Sequence, residues 1–190
     1  MRPARIYTAF QAGFTLIEVL ITLLVLAVGL MGLAGMQARM LNSQFEAYQR
    51  AQAVMLVGDM ANRLRSNVSA ARDARYVSAT LYGINNALGD ATDCTSGNVV
   101  ENDLCAWNQA LKGASITEGT QKLSAMIGAR GCIESISGSA TSQMVVRVTV
   151  VWQGLSPTVA PASACGKESY GDDRQRREVF VDVTLAYLGV

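Results

Sequence analysis

The sequence predicts an α+β fold in which a long N-terminal helix packs on a small antiparallel β-sheet head. Three observations predict it. An almost entirely apolar run extends from Phe14 to Met36, a helical pattern continues after it to about residue 66, and two late segments alternate apolar with polar residues. Helices and strands that are segregated along a chain are typical of α+β proteins, in which the helix covers one face of the sheet.

The apolar run is long enough to cross a membrane. As a helix, residues 14–36 extend about 34 Å at roughly 1.5 Å per residue, and the hydrocarbon core of a bilayer is about 30 Å thick. Arg2 and Arg5 precede the run, and no acidic residue lies before it. Because positive residues ahead of a first apolar segment keep that end in the cytoplasm, we expect the rest of the chain to be exported.

Two features of this run are costly for a simple membrane anchor. Glu18 places a carboxylate in the first turns, where an unpaired charge is penalised. Gly29, Gly32 and Gly35 recur every three residues, although each glycine destabilises a helix interior by about 1 kcal/mol relative to alanine. The glycines indicate close helix packing or a segment that extends locally, and less strongly a signal-peptidase site after Ala34.

The helical pattern continues from residue 37 to residue 67 with no proline and one glycine. Apolar and aromatic residues recur there mostly every three or four positions, which predicts one packed face: Leu41, Phe45, Tyr48, Met55, Met60 and Leu64. Residues from 67 to about 127 are rich in small and polar types. We predict a loop-rich connector with one short helix near 102–113.

Two alternating segments predict antiparallel strands with one wet face. In the first, one side consists of Met144, Val146, Val148, Val150 and Trp152. In the second, the predicted buried side consists of Val179, Val181, Val183, Leu185 and Tyr187. A weaker strand is predicted over 132–137, and a long loop over 154–176 joins the two alternating segments.

The four cysteines suit export to an oxidising compartment. Cys94, Cys105, Cys132 and Cys165 contain no C-x-x-C pair, so a zinc site is only weakly indicated. Two disulfides are the better interpretation, and three pairings are possible. We favour Cys94–Cys105 and Cys132–Cys165 because neighbours in the chain close loops most easily. Four buried thiols remain the alternative.

The composition argues against an enzyme. The chain has no histidine, which excludes Ser–His–Asp and Cys–His sites and imidazole metal ligands. No glycine-rich phosphate loop is present, and we expect no cofactor and no metal. Three arginines interleave with three acids, which favours a solvated loop over a phosphate, nucleic-acid or calcium site: Asp172, Asp173, Arg174, Arg176, Arg177 and Glu178.

The stretch "GFTLIEVLITLLVLAVGLMGLAGMQ" resembles the class III signal of type IV prepilins, and specifically that of PilV-type minor pilins. The matching pieces are a short basic leader that ends in Gly13, the aromatic Phe14, and "TLIEVL" with Glu18. The segment "VLAVGLMGLAG" is similar to the PilV-type continuation of the helix. Major pilins usually have a proline near Gly35, and this chain has the three glycines instead.

The resemblance implies the organisation of the chain and its maturation. Residues 1–13 are a leader peptide, 14–66 form the long helix with 14–36 in the membrane or fibre core, and 67–190 form the periplasmic head. A prepilin peptidase cuts between Gly13 and Phe14 and methylates the new amine of Phe14. Glu18 then pairs with the Phe14 amine of a neighbouring subunit, which sets the register of assembly.

The resemblance also implies partners and location. The partners are other minor pilins, the major pilin, the prepilin peptidase and the inner-membrane assembly platform. The subunit resides in the inner membrane with its head in the periplasm, and later in the pilus fibre, near its tip. It primes pilus assembly, and so serves twitching motility, adhesion and surface attachment. The alternatives are a pseudopilin of type II secretion, a pilus-tip adhesin, and a secreted or membrane-anchored enzyme.

Overall fold

The computed structural model describes residues 13–84, 94–95, 97–113, 117–118, 121–122 and 126–187. The chain divides into two compact units, Met1–Ser43 and Gln44–Val190. Residues 1–12 of the predicted leader, with Arg2 and Arg5, lie outside the described residues.

Within the described residues, three α-helices and six strands follow one another, with a short 3-10 turn at Asp173–Gln175 before the last strand. They are α1 (Leu16–Ser66), α2 (Val68–Arg72), β1 (Ser78–Tyr82), α3 (Val99–Leu111), β2 (Thr117–Glu118), β3 (Gln121–Lys122), β4 (Arg130–Ser137), β5 (Met144–Gln153) and β6 (Arg176–Leu185).

The main sheet has four antiparallel strands in the order β1-β4-β5-β6, and β2 and β3 form a separate small hairpin. The predicted α+β fold, a long N-terminal helix with an antiparallel sheet, is confirmed. The predicted side of β5 from Met144 to Trp152 is buried, with no residue more than 3% exposed. Its opposite side is also covered at Thr149 and Val151, because the segment that contains Cys165 packs on that part of the sheet.

Two details of the sheet differ from the predictions. Residues 78–82, predicted to belong to a loop-rich connector, form β1 and pair with β4. The strand is only five residues long and its pairing is irregular, so its sequence carries little alternation. Tyr187 was predicted to be buried, but β6 ends at Leu185 and Tyr187 is 48% exposed, with the Arg72 guanidinium 4.8 Å from its ring centre.

The packed face of α1 also differs from the prediction. Met60 and Leu64 are buried as expected, whereas four large side chains of the predicted face are exposed: Leu41, Phe45, Tyr48 and Met55. The buried positions are instead Gln49, Ala53, Val57, Met60, Ala61 and Leu64. Small side chains let the helix approach its neighbours closely, and counting large apolar residues therefore selected the wrong face.

Candidate functional site in the N-terminal segment

Thr15, which the sequence patterns above did not single out, caps the start of α1. Thr15 immediately precedes the helix, and its Oγ1 accepts a hydrogen bond from the backbone N–H of Glu18 at 3.3 Å. Its carbonyl oxygen accepts from the same N–H at 3.1 Å. The pattern Thr-x-x-Glu is a known helix-start signal and could have identified Thr15. Glu18 is thus the third helical residue, where a negative charge suits the helix dipole.

The carboxylate of Glu18 has no counter-charge in the described part of the chain. Its side chain is exposed, and none of the ion pairs between described residues includes it. The helix dipole accounts for a favourable position in the first turn, but it provides no charged partner. A counter-ion for Glu18 therefore has to come from outside the described residues.

Gly13 and Phe14 lie directly before this cap, and the fold of the chain itself does not require either residue. Phe14 is 84% exposed. A Cβ atom added at Gly13 would meet nothing within 4 Å, and the backbone there is not in the left-handed region that favours glycine. The same is true of Gly29, Gly32 and Gly35, through which α1 runs without interruption.

The surface of the N-terminal part of α1 is apolar on all sides. Every large apolar side chain from Phe14 to Met36 is between 47% and 90% exposed. The helix is long and apolar enough to cross a membrane, and none of its most apolar 18-residue window is buried inside the chain. An exposed apolar surface of this extent needs lipid or other protein to cover it.

Two comparisons with known families bear on this segment. The profile of the family described as prokaryotic N-terminal methylation motif matches residues 9–34, which include Gly13, Phe14 and Glu18. The profile of the family described as type IV pilin Tt1218 matches residues 35–112. Together the two profiles match residues 9–112 and support a type IV pilin. No curated protein and no solved structure matches the chain.

These matches have three consequences for the chain. A prepilin signal implies processing by a peptidase and assembly into pili. The signal and the apolar helix together fit a membrane-anchored subunit. A structural subunit of a fibre is also consistent with the expectation that the chain is not an enzyme.

Both disulfides of the pilin head are formed, and the favoured pairing is confirmed. Cys94 bonds to Cys105 with their Cα atoms 5.5 Å apart, and Cys132 bonds to Cys165 with their Cα atoms 5.9 Å apart. These separations are ordinary for disulfides. The second bridge fastens the long loop between β5 and β6 onto β4, where both cysteines pack against the buried Val151.

The predicted solvated cluster of arginines is wrong for Arg176. This residue is 1% exposed, and its guanidinium forms two hydrogen bonds with the Asp173 carboxylate, at 2.8 and 2.9 Å. It also donates to the carbonyl oxygens of Cys165 at 2.9 Å and Pro161 at 3.0 Å. Hydrogen bonds to a charged group and to loop carbonyls satisfy the buried cation, so Arg176 is a structural cross-link of the loop.

The other members of the cluster are also bound within the chain. Arg177 donates to Glu46 of α1 at 3.1 Å, and Arg174 pairs with Asp172 on the surface at 2.8 Å. The carboxylates expected to be solvated therefore have arginine partners, and these hydrogen bonds lower the pKa of Asp172 and Asp173. No group of three or more metal-ligating side chains occurs within the described ranges.

Proposed function

We propose that this pilin is a minor pilin of the PilV type that takes part in priming pilus assembly. Through assembly it would serve twitching motility, adhesion and surface attachment. The single observation that carries the proposal is the N-terminal helix, whose apolar surface and Glu18 carboxylate have no partner in the described chain. Such a surface is costly in an isolated subunit and is covered in a membrane or between helices of a fibre.

Maturation of the subunit depends on Gly13 and Phe14. The prepilin peptidase would cut between them on the cytoplasmic side of the inner membrane and methylate the new amine. Gly13 is free of conformational demands in the folded chain, which supports a role in the peptidase site rather than in the fold. The Thr15 cap places Phe14 outside the helix, so the cleaved bond lies in non-helical chain.

Assembly depends on Glu18. Cleavage creates a cation at Phe14, and a neighbouring subunit that enters the fibre brings its own Phe14 amine toward this carboxylate. In a medium of low dielectric constant the attraction is strong, and either charge alone is penalised. The pair would therefore favour the correct axial register between subunits.

The PilV type is supported by the segment around Gly29, Gly32 and Gly35. The helix contains these glycines where major pilins usually have a proline, and no described residue lies within 4 Å of a Cβ added at any of them. They are available for close contact with neighbouring helices or for local extension during assembly. Other minor pilins, the major pilin and the assembly platform are the proposed partners, and the head would lie in the periplasm before export to the tip of the fibre.

Mass spectrometry of the mature protein, combined with a deletion strain, tests the proposal. We expect an N-terminus at methylated Phe14, loss of cleavage in Gly13→Val, and normal cleavage in the matched control Gly32→Val. We expect the deletion strain to lose surface pili and twitching. A mature N-terminus at Gly35 would overturn the processing site, and a secretion defect with intact pili would show a type II secretion pseudopilin instead.

A further inference from the structure

The outer side of β6 is one of the two edges of the main sheet, and the other is the outer side of the short strand β1. All ten residues of β6 pair with β5 on the other side. The backbone N–H of Gly154 donates to the carbonyl of Gln175 at 2.7 Å, just before the strand. Gln175 is thus an odd-numbered residue that bonds to the β5 side. Hydrogen-bonded positions alternate along an antiparallel pair, so the odd-numbered residues of β6 bond to β5. The even-numbered residues direct their N–H and C=O groups to the free edge.

Contacts at the two ends of β6 agree with this alternation. The carbonyl of Arg174 accepts from the Thr158 N–H at 2.8 Å, and the carbonyl of Ala186 accepts from the Arg72 guanidinium. Both acceptors are even-numbered and lie outside the ladder with β5. The edge is therefore covered at its beginning and at its end.

Between these ends the edge is open. Among the described residues, no hydrogen bond outside the ladder with β5 involves the backbone of Phe180, Asp182 or Thr184. Edge strands are usually protected by a proline, a bulge or a short length. β6 has ten residues in unbroken register and contains neither proline nor glycine. Its open stretch is consequently a template for a further strand.

The side chains along the open stretch are only partly covered. On the core side, Val179 and Val181 are partly buried and pack at the margin of the hydrophobic core. On the outer side, Phe180 is 48% exposed. An added strand would lie about 4.8 Å from β6 and would cover apolar surface on both faces.

A row of charges on the outer face indicates what that strand contains. Glu134 lies opposite Arg147, and Arg147 lies opposite Asp182, so the charges alternate across β4, β5 and β6. Arg147 forms two hydrogen bonds with the Asp182 carboxylate, at 2.7 and 2.8 Å. The row ends in an acid at the open edge. Since opposite charges across neighbouring strands stabilise and like charges destabilise, the next position favours a cation.

A cleft of about 620 Å³ lies beside the same stretch. Apolar side chains line one part of it, Phe180 of β6 and Val159, Pro161 and Ala162 of the long loop, and charged and polar side chains line the rest. Val159 is 89% exposed. On an added strand, the residues opposite Asp182 and Phe180 are two positions apart and share one face. When a basic residue of the added strand lies opposite Asp182, the residue two positions away lies beside Phe180, at the mouth of the cleft. An apolar side chain suits that position because Phe180 and Val159 are exposed there.

We propose that the edge of β6 from Phe180 to Thr184 docks an extended segment of a neighbouring protein by strand addition. That segment carries a lysine or arginine opposite Asp182 and an apolar side chain, two residues away, beside Phe180. Main-chain hydrogen bonds supply the affinity in this binding mode, and the side-chain sites supply the specificity. Identifying the neighbour as another pilin subunit rests on the proposed function.

A second copy of this chain does not fit the edge as well. Along the open stretch, the outer face of its own β6 offers Glu178, Phe180, Asp182 and Thr184, none of which is a cation. Arg176 is buried and holds the long loop, so it is not available. Pairing of β6 with β6 of a second copy is therefore disfavoured, and we assign the added strand to a different protein.

Photo-crosslinking of the full-length pilin in its pilus-producing host tests the proposal. The probe is p-benzoylphenylalanine in place of Phe180. We expect an adduct with one different protein, mapped to a segment with a lysine or arginine two or three residues from the linkage. Adduct yield should fall at least tenfold in Asp182→Lys, which makes the charges repel. It should fall as far in Thr184→Pro, which removes an edge N–H without breaking the ladder with β5.

Two matched controls keep the test specific. Glu134→Lys makes the same charge change on the same face, away from the open edge, and Thr184→Ala keeps the edge N–H. Both should retain the adduct. A normal melting temperature for the head of each variant shows that folding is intact, and if Thr184→Pro fails to fold, Asp182→Lys alone decides. An unchanged adduct in Asp182→Lys, equal loss in Glu134→Lys, or an adduct only with a second copy would overturn the proposal.

The outcomes also separate this proposal from the proposed function. If the probe-bearing pilin is present in sheared fibres and yields no adduct, strand addition at β6 is wrong and the pilin function stands. If the adduct has the expected pattern but the partner is not a pilin, the docking edge stands and the identification of the neighbour as a pilin subunit is contradicted.

Discussion

The N-terminal part of α1 and the head use glycine in opposite ways. In the head, a Cβ added at Gly131 would lie 2.3 Å from the ring of Trp107, and Gly138 has a φ of +87° with Gln143 O only 1.8 Å from such an atom. In α1, a Cβ added at Gly29 or Gly32 would meet nothing within 4 Å. Gly131 and Gly138 are therefore required by the packing and backbone of the head, whereas no described residue requires Gly29 or Gly32.

Carboxylates show the same difference. Asp103 in the head accepts hydrogen bonds from Arg63 at 2.9 Å and from the Tyr76 hydroxyl at 2.6 Å. Glu18 has no ion pair with any residue that the structure describes. Substitutions in the head should therefore be detected as changes of folding stability, and substitutions in the helix as changes of processing or assembly.

Loss of the Cys132–Cys165 disulfide is expected to have the largest effect on the head. Its cysteines are 33 residues apart, against 11 for Cys94–Cys105. Loop-closure entropy predicts a loss of about 3.7 kcal/mol for the longer loop and about 2.8 kcal/mol for the shorter one. Denaturant unfolding of the full-length double Cys→Ser variants in detergent measures both. Equal stability of the wild type and the Cys132/Cys165 variant would refute the stabilising role of this disulfide, and membrane insertion should be unchanged in either variant.

A pair of glycine substitutions compares the two regions directly. Gly131→Ala should destabilise the head by roughly 1–3 kcal/mol, because Trp107 and Leu111 have to move from packed positions. Gly32→Ala should leave the unfolding of the head unchanged and stabilise the helix locally by about 1 kcal/mol. Thermal unfolding followed by tryptophan fluorescence distinguishes them. Destabilisation of the head by Gly32→Ala would contradict the division between the two regions.

The smallest expected effects are those of pH, and they should appear in the head. Hydrogen bonds from Arg176 and Arg147 lower the pKa of Asp173 and Asp182. A carboxylate with a lowered pKa in the folded state stabilises fully above its ordinary pKa of about 4, and this stability is lost as the pH falls through the lowered value.

At alkaline pH the stability of the head changes in the opposite direction, decreasing as the pH rises. Burial, together with the hydrogen bond to Asp103, raises the pKa of Tyr76 to about 12. The stabilisation is complete below the ordinary tyrosine pKa of about 10 and is lost as the pH rises toward 12. Melting temperatures across pH 2 to 11 should fall at both ends. Asp182→Asn should flatten the acid limb, and an unchanged acid limb would show that the Arg147–Asp182 pair contributes little.

The parts of the fold that follow from local patterns could be predicted from the sequence. Strict alternation identified β5 and β6, and apolar length identified the N-terminal helix, whose start lies within the matched methylation motif. These signals depend on neighbours in the chain, which the sequence shows directly.

The parts that depend on tertiary contacts could not be predicted. β1 becomes a strand because β4 offers it an edge, and Arg176 is buried because a loop tied by Cys165 surrounds it. The packed face of α1 is set by how closely Ala53 and Ala61 let the helix approach the core, which no count of large apolar residues shows. The open edge of β6 likewise required the strand order of the sheet.

The most direct test of the difference between the two regions compares Glu18→Gln with Asp103→Asn in the full-length protein. For each variant, the melting temperature of the head and the amount in sheared fibres, relative to the membrane pool, are measured together.

Leaving one charge of a buried pair without its partner costs about 3–5 kcal/mol. Since about 1.4 kcal/mol corresponds to a factor of ten, Glu18→Gln should reduce incorporation by roughly 100-fold or more. Its membrane insertion, cleavage and melting temperature should be unchanged, whereas Asp103→Asn should lower the melting temperature and leave incorporation of the folded subunit near the wild-type level. Wild-type incorporation of Glu18→Gln, or a lowered melting temperature of its head, would contradict the proposal that Glu18 acts only between subunits.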